Sequence, residues 1–254
     1  MAEWSGFYPC TCIAVDAQAY GGNNDRRQSE IQHDLPRILS RAAGGTGLDR
    51  SQWHIQPKGD EELAVHPMDG TEPRLVDDFV RHLVSELREY NGTRVPTARM
   101  RLRAAIHHGP VELADNGFAG TTVVTTARLL SSRHLYDALT THDGADLALL
   151  LSDDVYRSTV AGGHTTLSAA DFRCVTVREK ECEAAAWLQV PGHEVRRPGA
   201  GRPAVDQPEP PTREGPGGDF AGRHDYRGEQ ISVNNFTAPV DLRGGVVGFG
   251  SAGG

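Results

Sequence analysis

The sequence lacks the features that would make it a membrane, secreted or nucleic-acid-binding protein. No stretch approaches the roughly 18 consecutive apolar residues of a membrane-spanning helix. The amino terminus has no basic segment followed by an apolar one, so we expect no secretory signal and a cytoplasmic location. Acidic residues outnumber basic ones, 34 to 26, and the formal net charge of −8 argues against a nucleic-acid partner.

Cysteine is also scarce, with four residues in the chain: Cys10, Cys12, Cys174 and Cys182. Cys10 and Cys12 stand two apart on a predicted strand, so their side chains point to the same face. A C-x-C pair could bind a metal ion, but no second pair with the usual spacing follows, so buried, reduced thiols are expected. His107 and His108 are adjacent on a strand and point to opposite faces, so we expect no shared metal ion there.

Apolar residues make up 38% of the chain, and the shortage is concentrated after Pro191. We therefore expect residues 1–190 to form one domain with a normal core. Pro, Gly and charged residues dominate positions 191–228, which predicts a disordered linker. Residues 229–254 regain apolar side chains but are glycine-rich and too short for a core of their own, which predicts an interaction motif.

Apolar patterning in the first 190 residues switches between the period of a strand and that of a helix. Strands are predicted at residues 8–15, 53–56, 62–66, 100–106, 111–113, 145–151, 172–177 and 185–190. Helices are predicted at residues 29–43, 72–90, 121–139 and 152–160, and a turn at Gly109-Pro110. The order β-α-β-β-α-β, followed by further elements, predicts an α+β domain with a ferredoxin-like core and C-terminal extensions.

Two aspartates are predicted to lie at adjacent strand ends. Asp16 ends the first buried strand, and Asp60 lies at the tip of the hairpin that follows the first helix. In a ferredoxin-like sheet these two elements are neighbours. Two carboxylates placed in this way can hold one or two Mg²⁺ ions, which in turn bind a triphosphate. Taken singly, each residue is more typical of an ordinary turn than of a metal site.

Five segments, in order along the chain, resemble motifs of the class III nucleotidyl (adenylate and guanylate) cyclase catalytic domain. Residues 15–21 (VDAQAYG) are similar to the strand end Asp-Ile-x-Gly-Phe-Thr, and residues 58–65 (KGDEELAV) to the hairpin Gly-Asp-x-x-Leu-Ala. Residues 101–111 (RLRAAIHHGPV) are similar to the strand that ends in Gly-Ile-His-x-Gly-x-Val. Residues 120–129 (GTTVVTTARL) are similar to the helix Gly-x-x-Val-Asn-x-Ala-x-Arg-Leu, and residues 151–156 (LSDDVY) to a later Ser-x-x-Val-Tyr element. The resemblance implies the cyclase fold.

The same resemblance implies a metal- and nucleotide-binding site. Asp16 and Asp60 match the two metal-binding aspartates, which implies a two-ion site for Mg²⁺ or Mn²⁺, and the carbonyl of Ala17 matches a backbone metal ligand. The loop that would cradle phosphates with its amides includes Gln18, Ala19, Tyr20 and Gly21. Arg128 matches the arginine that stabilises charge on the transferring phosphate. In the family the site forms between two head-to-tail protomers, which implies a homodimer here or a heterodimer with a related chain.

Several positions depart from the family pattern. Val124 stands where the family has a catalytic asparagine, four residues before Arg128 and therefore on the same helix face. Gln56 stands where many members have a purine-reading lysine, and Gly117 stands at about the position of its partner aspartate. The half of the site that binds metal is thus expected to be kept, and the half that reads the base to be rebuilt.

The C-terminal segment, residues 229–254, resembles short amyloid-type signalling motifs at the ends of bacterial immune receptors and effectors. Alternating apolar residues and paired asparagines could stack in a cross-β arrangement with a partner segment. Pro239 and Asp241 count against one uninterrupted strand. A flexible glycine-rich terminus is the alternative.

Three functions remain open at this point. The first is a divergent cyclase-like signalling domain of a bacterial stress or defence pathway, which binds metal and a nucleoside triphosphate with reduced or altered cyclase activity. The second is an active cyclase with non-purine or relaxed base selectivity, which makes a cyclic mononucleotide and releases pyrophosphate. The third is a non-enzymatic dimerising scaffold that recruits protein partners through residues 229–254.

Overall fold

A mixed β-sheet runs through the part of the chain that the computed structural model describes, residues 6–195. Its eight strands are β1 (Tyr8–Ala17), β2 (His54–Lys58), β3 (Glu61–Pro67), β4 (Leu102–Ala114), β5 (Gly117–Ala119), β6 (Leu147–Ser152), β7 (Arg173–Glu179) and β8 (Cys182–Gln189). The order across the sheet is β2-β3-β1-β4-β6-β8-β7, and β5 pairs with β4 alone. Only β4 and β6 run parallel among these pairs. Strands β1 to β4 and the helices between them form the predicted ferredoxin-like core.

Helices cover both faces of this sheet. They are α1 (Asp25–Gly45), α2 (Glu72–Val76), α3 (Asp78–Gly92), α4 (Thr121–Leu130), α5 (Arg133–Thr141) and α6 (Asp153–Tyr156). The larger core cluster packs α1, α2, α3 and α6 against one face, and a second cluster packs α4 and α5 against the other. Strand β6 is buried on both sides, because Leu149 and Leu151 belong to the first cluster and Leu150 to the second. The α+β prediction is therefore confirmed.

Two helices that were predicted to be continuous are each divided. The predicted helix 72–90 is α2 and α3, separated at Asp77, whose carboxylate accepts hydrogen bonds from the amide and hydroxyl of Thr166. The predicted helix 121–139 is α4 and α5, separated at Ser131 and Ser132. Ser132 caps α5 by accepting a hydrogen bond from the amide of His134 at 3.2 Å. Both predictions were wrong at these positions because apolar residues keep a helical spacing across each break.

The predicted turn at Gly109-Pro110 is also wrong. Strand β4 continues through both residues to Ala114, and it pairs with β1 from Leu102 to Val111 and with β5 beyond that. Pro110 lies directly opposite Pro9, so the two residues that lack an N–H donor share one position of the ladder. The carbonyl of Pro110 accepts a hydrogen bond from the hydroxyl of Thr122 at 2.7 Å, which fastens the start of α4 to this strand.

Remaining expectations concern the cysteines, the membrane and the C-terminal residues. Cys10 and Cys12 are buried in a small apolar cluster and are not in a disulfide, as predicted. Burial raises the pKa of Cys10 to about 11 and that of Cys12 to about 12, so neither is a ready thiolate ligand.

No described helix is long and apolar enough to cross a membrane. The predicted interaction motif, residues 229–254, and most of the linker before it lie outside the described residues.

Candidate functional site

The strand pairing brings Asp16 and Asp60 together. Strands β1 and β3 are antiparallel, so Asp16 near the end of β1 lies opposite Glu61 at the start of β3. Asp60 occupies the turn just before Glu61, where Gly59 adopts the positive φ of 66° that the turn requires. The amide of Ala17 donates a hydrogen bond to the carbonyl of Asp60 at 3.1 Å and fixes the turn against the strand end. The predicted juxtaposition of the two aspartates is therefore present.

Burial controls the electrostatics of Asp16. Desolvation raises the pKa of the Asp16 carboxyl to about 7, and an ion pair with Arg103 opposes this shift without overcoming it. Asp60 raises the same pKa further, through a hydrogen bond and through its charge, and Glu61 adds a smaller effect of the same sign. The carboxyl groups of Asp16 and Asp60 thus lie side by side at one partly buried point, with Glu61 adding negative charge nearby, and this charge favours a bound cation.

Arg103 is the functional residue that sequence analysis did not single out. It lies on β4 directly opposite Asp16 on β1, and its Nη2 donates a hydrogen bond to the Asp16 carboxylate. The residue is 5% exposed, yet its Nε and Nη1 atoms have no hydrogen-bond partner among the described residues. Buried guanidinium N–H groups normally find an acceptor, so these two donors are unsatisfied in this structure and a bound anion would satisfy them. A charged residue within a buried strand was the available signal.

The loop after β1 is where a phosphate cradle was predicted. The amides of Ala17 and Gln18 are already engaged, because they donate to the carbonyls of Asp60 and Arg101. Ala19 has a left-handed conformation, with a φ of 60°, and the 3-10 turn Tyr20–Gly22 follows it. Adjacent residues of opposite hand turn successive N–H groups to one side and form an anion-binding concavity. The candidate amides are therefore those of Ala19, Tyr20 and Gly21.

The donor set suits a hard divalent cation. Carboxylate and carbonyl oxygens are the ligands that Mg²⁺ and Mn²⁺ prefer. Within residues 6–195 no group of three or more His, Cys, Asp or Glu side chains is arranged to hold a metal ion. Many Mg²⁺ sites have only one or two protein ligands, and the phosphates of the substrate complete the coordination. The carboxylates of Asp16 and Asp60 and the carbonyl of Ala17 match such a site. The residues fit such an ion, provided that Arg103 shares Asp16 with it.

Arg128 lies apart from the carboxylate cluster. Its Nη2 donates a hydrogen bond at 3.2 Å to Glu181 in the turn between β7 and β8, and its Nε is buried without a partner in the described chain. Val124, one helical turn earlier, is 51% exposed. Helix α4 therefore presents both residues near the surface of the described domain.

Gln56 and Gly117 face each other across a shallow groove. Gln56 is exposed on the edge strand β2, and Gly117 begins β5 with a φ of 112°. A Cβ atom added at Gly117 would lie 2.8 Å from the Gln56 Nε2, so the exposed glutamine side chain would have to move, and the positive φ of Gly117 would strain any other residue there. One neutral amide thus occupies the place where the family has a charged pair.

Solved structures with the same fold are nucleotidyl cyclase domains. An adenylate/guanylate cyclase/hydrolase from Silicibacter pomeroyi is 18% identical with a TM-score of 0.55, over 74% of this chain and 100% of its own. The guanylyl cyclase Cya2 is 15% identical with a TM-score of 0.51, over 74% of this chain and 93% of its own. The guanylate cyclase domain of RhGC from Catenaria anguillulae, solved in complex with GTP, is 15% identical with a TM-score of 0.50. The match covers 74% of this chain and 98% of that domain.

No family model matches this chain, and no curated protein matches its sequence. The structural likeness confirms the predicted resemblance to class III adenylate/guanylate cyclase catalytic domains at the level of the fold. Identities of 15–18% place the chain far from these structures in sequence. The roles of individual residues therefore depend on the geometry described above.

Proposed function

We propose that this chain is a divergent nucleotidyl cyclase-like domain that binds a divalent metal ion and a nucleoside triphosphate, with reduced or altered cyclase activity. The observation that carries the proposal is the convergence of Asp16 and Asp60 beside Arg103, a buried arginine with two unpartnered N–H groups. Acidic ligands for a cation next to donors for an anion are what a metal-bound polyphosphate requires.

Each group has a defined task in this proposal. Bound Mg²⁺ or Mn²⁺ would neutralise phosphate charge and polarise the phosphate undergoing attack. Asp16 and Asp60 hold the cation, and Arg103 donates its free N–H groups to phosphate oxygens. The backbone amides of Ala19, Tyr20 and Gly21 contribute the opposite wall of the phosphate site.

The helix α4 accounts for the reduced activity. The valine side chain of Val124 has no hydrogen-bonding group, and losing one transition-state donor typically costs about 10²–10³ in rate. In addition, Arg128 is paired with Glu181 of its own chain. The proposed active form is a head-to-tail homodimer, in which α4 of one copy completes the site of the other. A heterodimer in which a related chain supplies an asparagine is the alternative assembly. Recruitment of a protein partner through residues 229–254 is a further part of the proposal.

Altered base selectivity is the second candidate, and the Gln56–Gly117 contact favours it. A primary amide offers both a donor and an acceptor, so it can pair with bases that a lysine–aspartate pair would reject. A neutral amide at position 56 is consistent with a pyrimidine or with relaxed selectivity. In this case the chain is an active cyclase that releases pyrophosphate.

The test is to incubate the purified full chain with Mn²⁺ and each of the four ribonucleoside triphosphates, and to detect products by mass spectrometry. Asp60→Asn removes a metal ligand at nearly constant volume, and Asp137→Asn, at an exposed position on α5, is the matched control. Cyclic product that disappears only in Asp60→Asn establishes a cyclase and its base. Metal-dependent triphosphate binding without product supports the degenerate domain. If the chain shows neither triphosphate binding nor product, the proposal is rejected and the dimerising scaffold is the remaining hypothesis.

A further inference from the structure

Tyr136 covers the guanidinium group of Arg103. The Cζ atom of Arg103 lies 3.6 Å from the centroid of the Tyr136 ring, which is the distance of a close face-on contact. Tyr136 lies on α5 and is 44% exposed, whereas its neighbours Leu135 and Leu139 are fully buried against the sheet. The helix break at Ser132 starts α5 where this ring can reach β4.

Arg103 needs such a contact if it is to bind an anion in a fixed position. Within residues 6–195 the one hydrogen bond of its side chain is the one that Nη2 donates to Asp16. A stacked aromatic ring restrains the plane of the group and leaves the N–H donors at its edge available. Nε and Nη1 are buried and have no partner in the described part of the chain, so these two donors remain for a phosphate group to satisfy.

We propose that Tyr136 is a positioning residue that holds Arg103 in the orientation in which it bridges Asp16 and a bound polyphosphate. This inference rests on the proposed function, since it assigns Tyr136 a role in the same site. The ring acts through Arg103 and does not contact the metal ligands in this account. Removing it should therefore weaken polyphosphate binding and leave the affinity for the metal ion alone unchanged.

The experiment titrates preformed Mn²⁺–tripolyphosphate into the full-length chain by calorimetry and measures the binding of Mn²⁺ alone by electron paramagnetic resonance. Tyr136→Leu removes the ring, and Tyr136→Phe keeps it. Tyr8→Leu, at a residue that is 46% exposed near the opposite end of β1, is the matched control. We expect Tyr136→Leu to bind the complex about 3- to 10-fold more weakly, as loss of one cation–π contact predicts. Tyr136→Phe and Tyr8→Leu should bind like the unmodified chain.

A double-mutant cycle with Arg103→Lys separates positioning from a general effect on the fold. Lysine keeps the charge but has no plane to stack, so Tyr136→Leu should cause no further loss in the Arg103→Lys background. Additive losses would overturn the proposal, because Tyr136 would then act independently of Arg103. Equal binding by Tyr136→Leu and the unmodified chain would also overturn it, as would Tyr136→Phe binding as weakly as Tyr136→Leu. If the unmodified chain binds no complex, the proposed function fails and the role of Tyr136 fails with it.

Discussion

Arg128 and Glu181 are joined by a hydrogen bond of 3.2 Å between the end of α4 and the β7–β8 turn. Arg128 is 22% exposed and Glu181 is 78% exposed, so the pair lies at the surface. The residue that resembles a phosphate-stabilising arginine is thus paired with an acid of its own chain. Removing that acid should make Arg128 available to a phosphate.

The first prediction concerns Glu181→Gln. We expect triphosphate binding, and any cyclase rate, to rise by less than about tenfold, because an exposed ion pair is weak and is screened by salt. The melting temperature should stay the same. Glu183→Gln removes another exposed acid of the same hairpin, paired with Arg178 at 3.0 Å, and is the matched control. A decrease in binding in Glu181→Gln would mean that Glu181 orients Arg128 and does not compete for it.

The second prediction restores a hydrogen-bonding group on α4. Val124 is 51% exposed, so Val124→Asn introduces an amide without burying it. If the missing donor limits catalysis, the rate of cyclic product formation should rise by about 10²-fold. Val95→Asn, at a residue that is 64% exposed outside the site, controls for the substitution. An unchanged rate in Val124→Asn would show that the base-reading half, and not the missing asparagine, limits the reaction.

The third prediction tests the cap that separates α5 from α4. Ser132 is 1% exposed, and its hydroxyl accepts the hydrogen bond from the amide of His134. Ser132→Ala should lower the free energy of unfolding by about 0.5–2 kcal/mol, as for other N-cap serines. Urea denaturation measures the effect, and Ser131→Ala at the exposed neighbour is the control. Equal stability of the two variants would mean that packing of α5, rather than the cap, ends α4.

Sequence patterns predicted most of the fold because both sheet faces are packed. Strand β1 and the first half of β4 are buried on both faces, whereas α1 and α3 each bury the one apolar face that their helical spacing predicts. The helix breaks at Asp77 and Ser132 could not be predicted in this way, since the apolar spacing continues across both. A cap or a side chain such as Thr166, distant in sequence, decides them.

The site was predicted only in part, for a related reason. Asp16 and Asp60 could be found because each follows directly from a strand end. Arg103 could not, because its partner Asp16 is 87 residues away and the two meet only when β1 and β4 pair. Tyr136 depends in addition on the break before α5. The proposed metal ligands thus follow from local sequence, and the groups proposed to hold the phosphate follow from the topology.

The last prediction concerns two histidines of β4. Burial lowers the pKa of His107 and of His108 below the ordinary value of 6.5, and their ring Nδ1 atoms have no hydrogen-bond partner within the described residues. The folded protein therefore binds fewer protons than the unfolded chain just below pH 6.5, so acidification favours unfolding there. The stability that the neutral rings contribute is fully present above pH 6.5 and is lost as the pH falls through their lowered pKa values.

We expect the free energy of unfolding of His108→Gln, measured in urea between about pH 5 and 8, to fall less on acidification than that of the unmodified chain. His33→Gln, at an exposed position of α1, is the control, and comparing each variant with the unmodified chain cancels the titration of other groups. Parallel profiles for His108→Gln and the unmodified chain would mean that His108 is protonated alike in the folded and unfolded states.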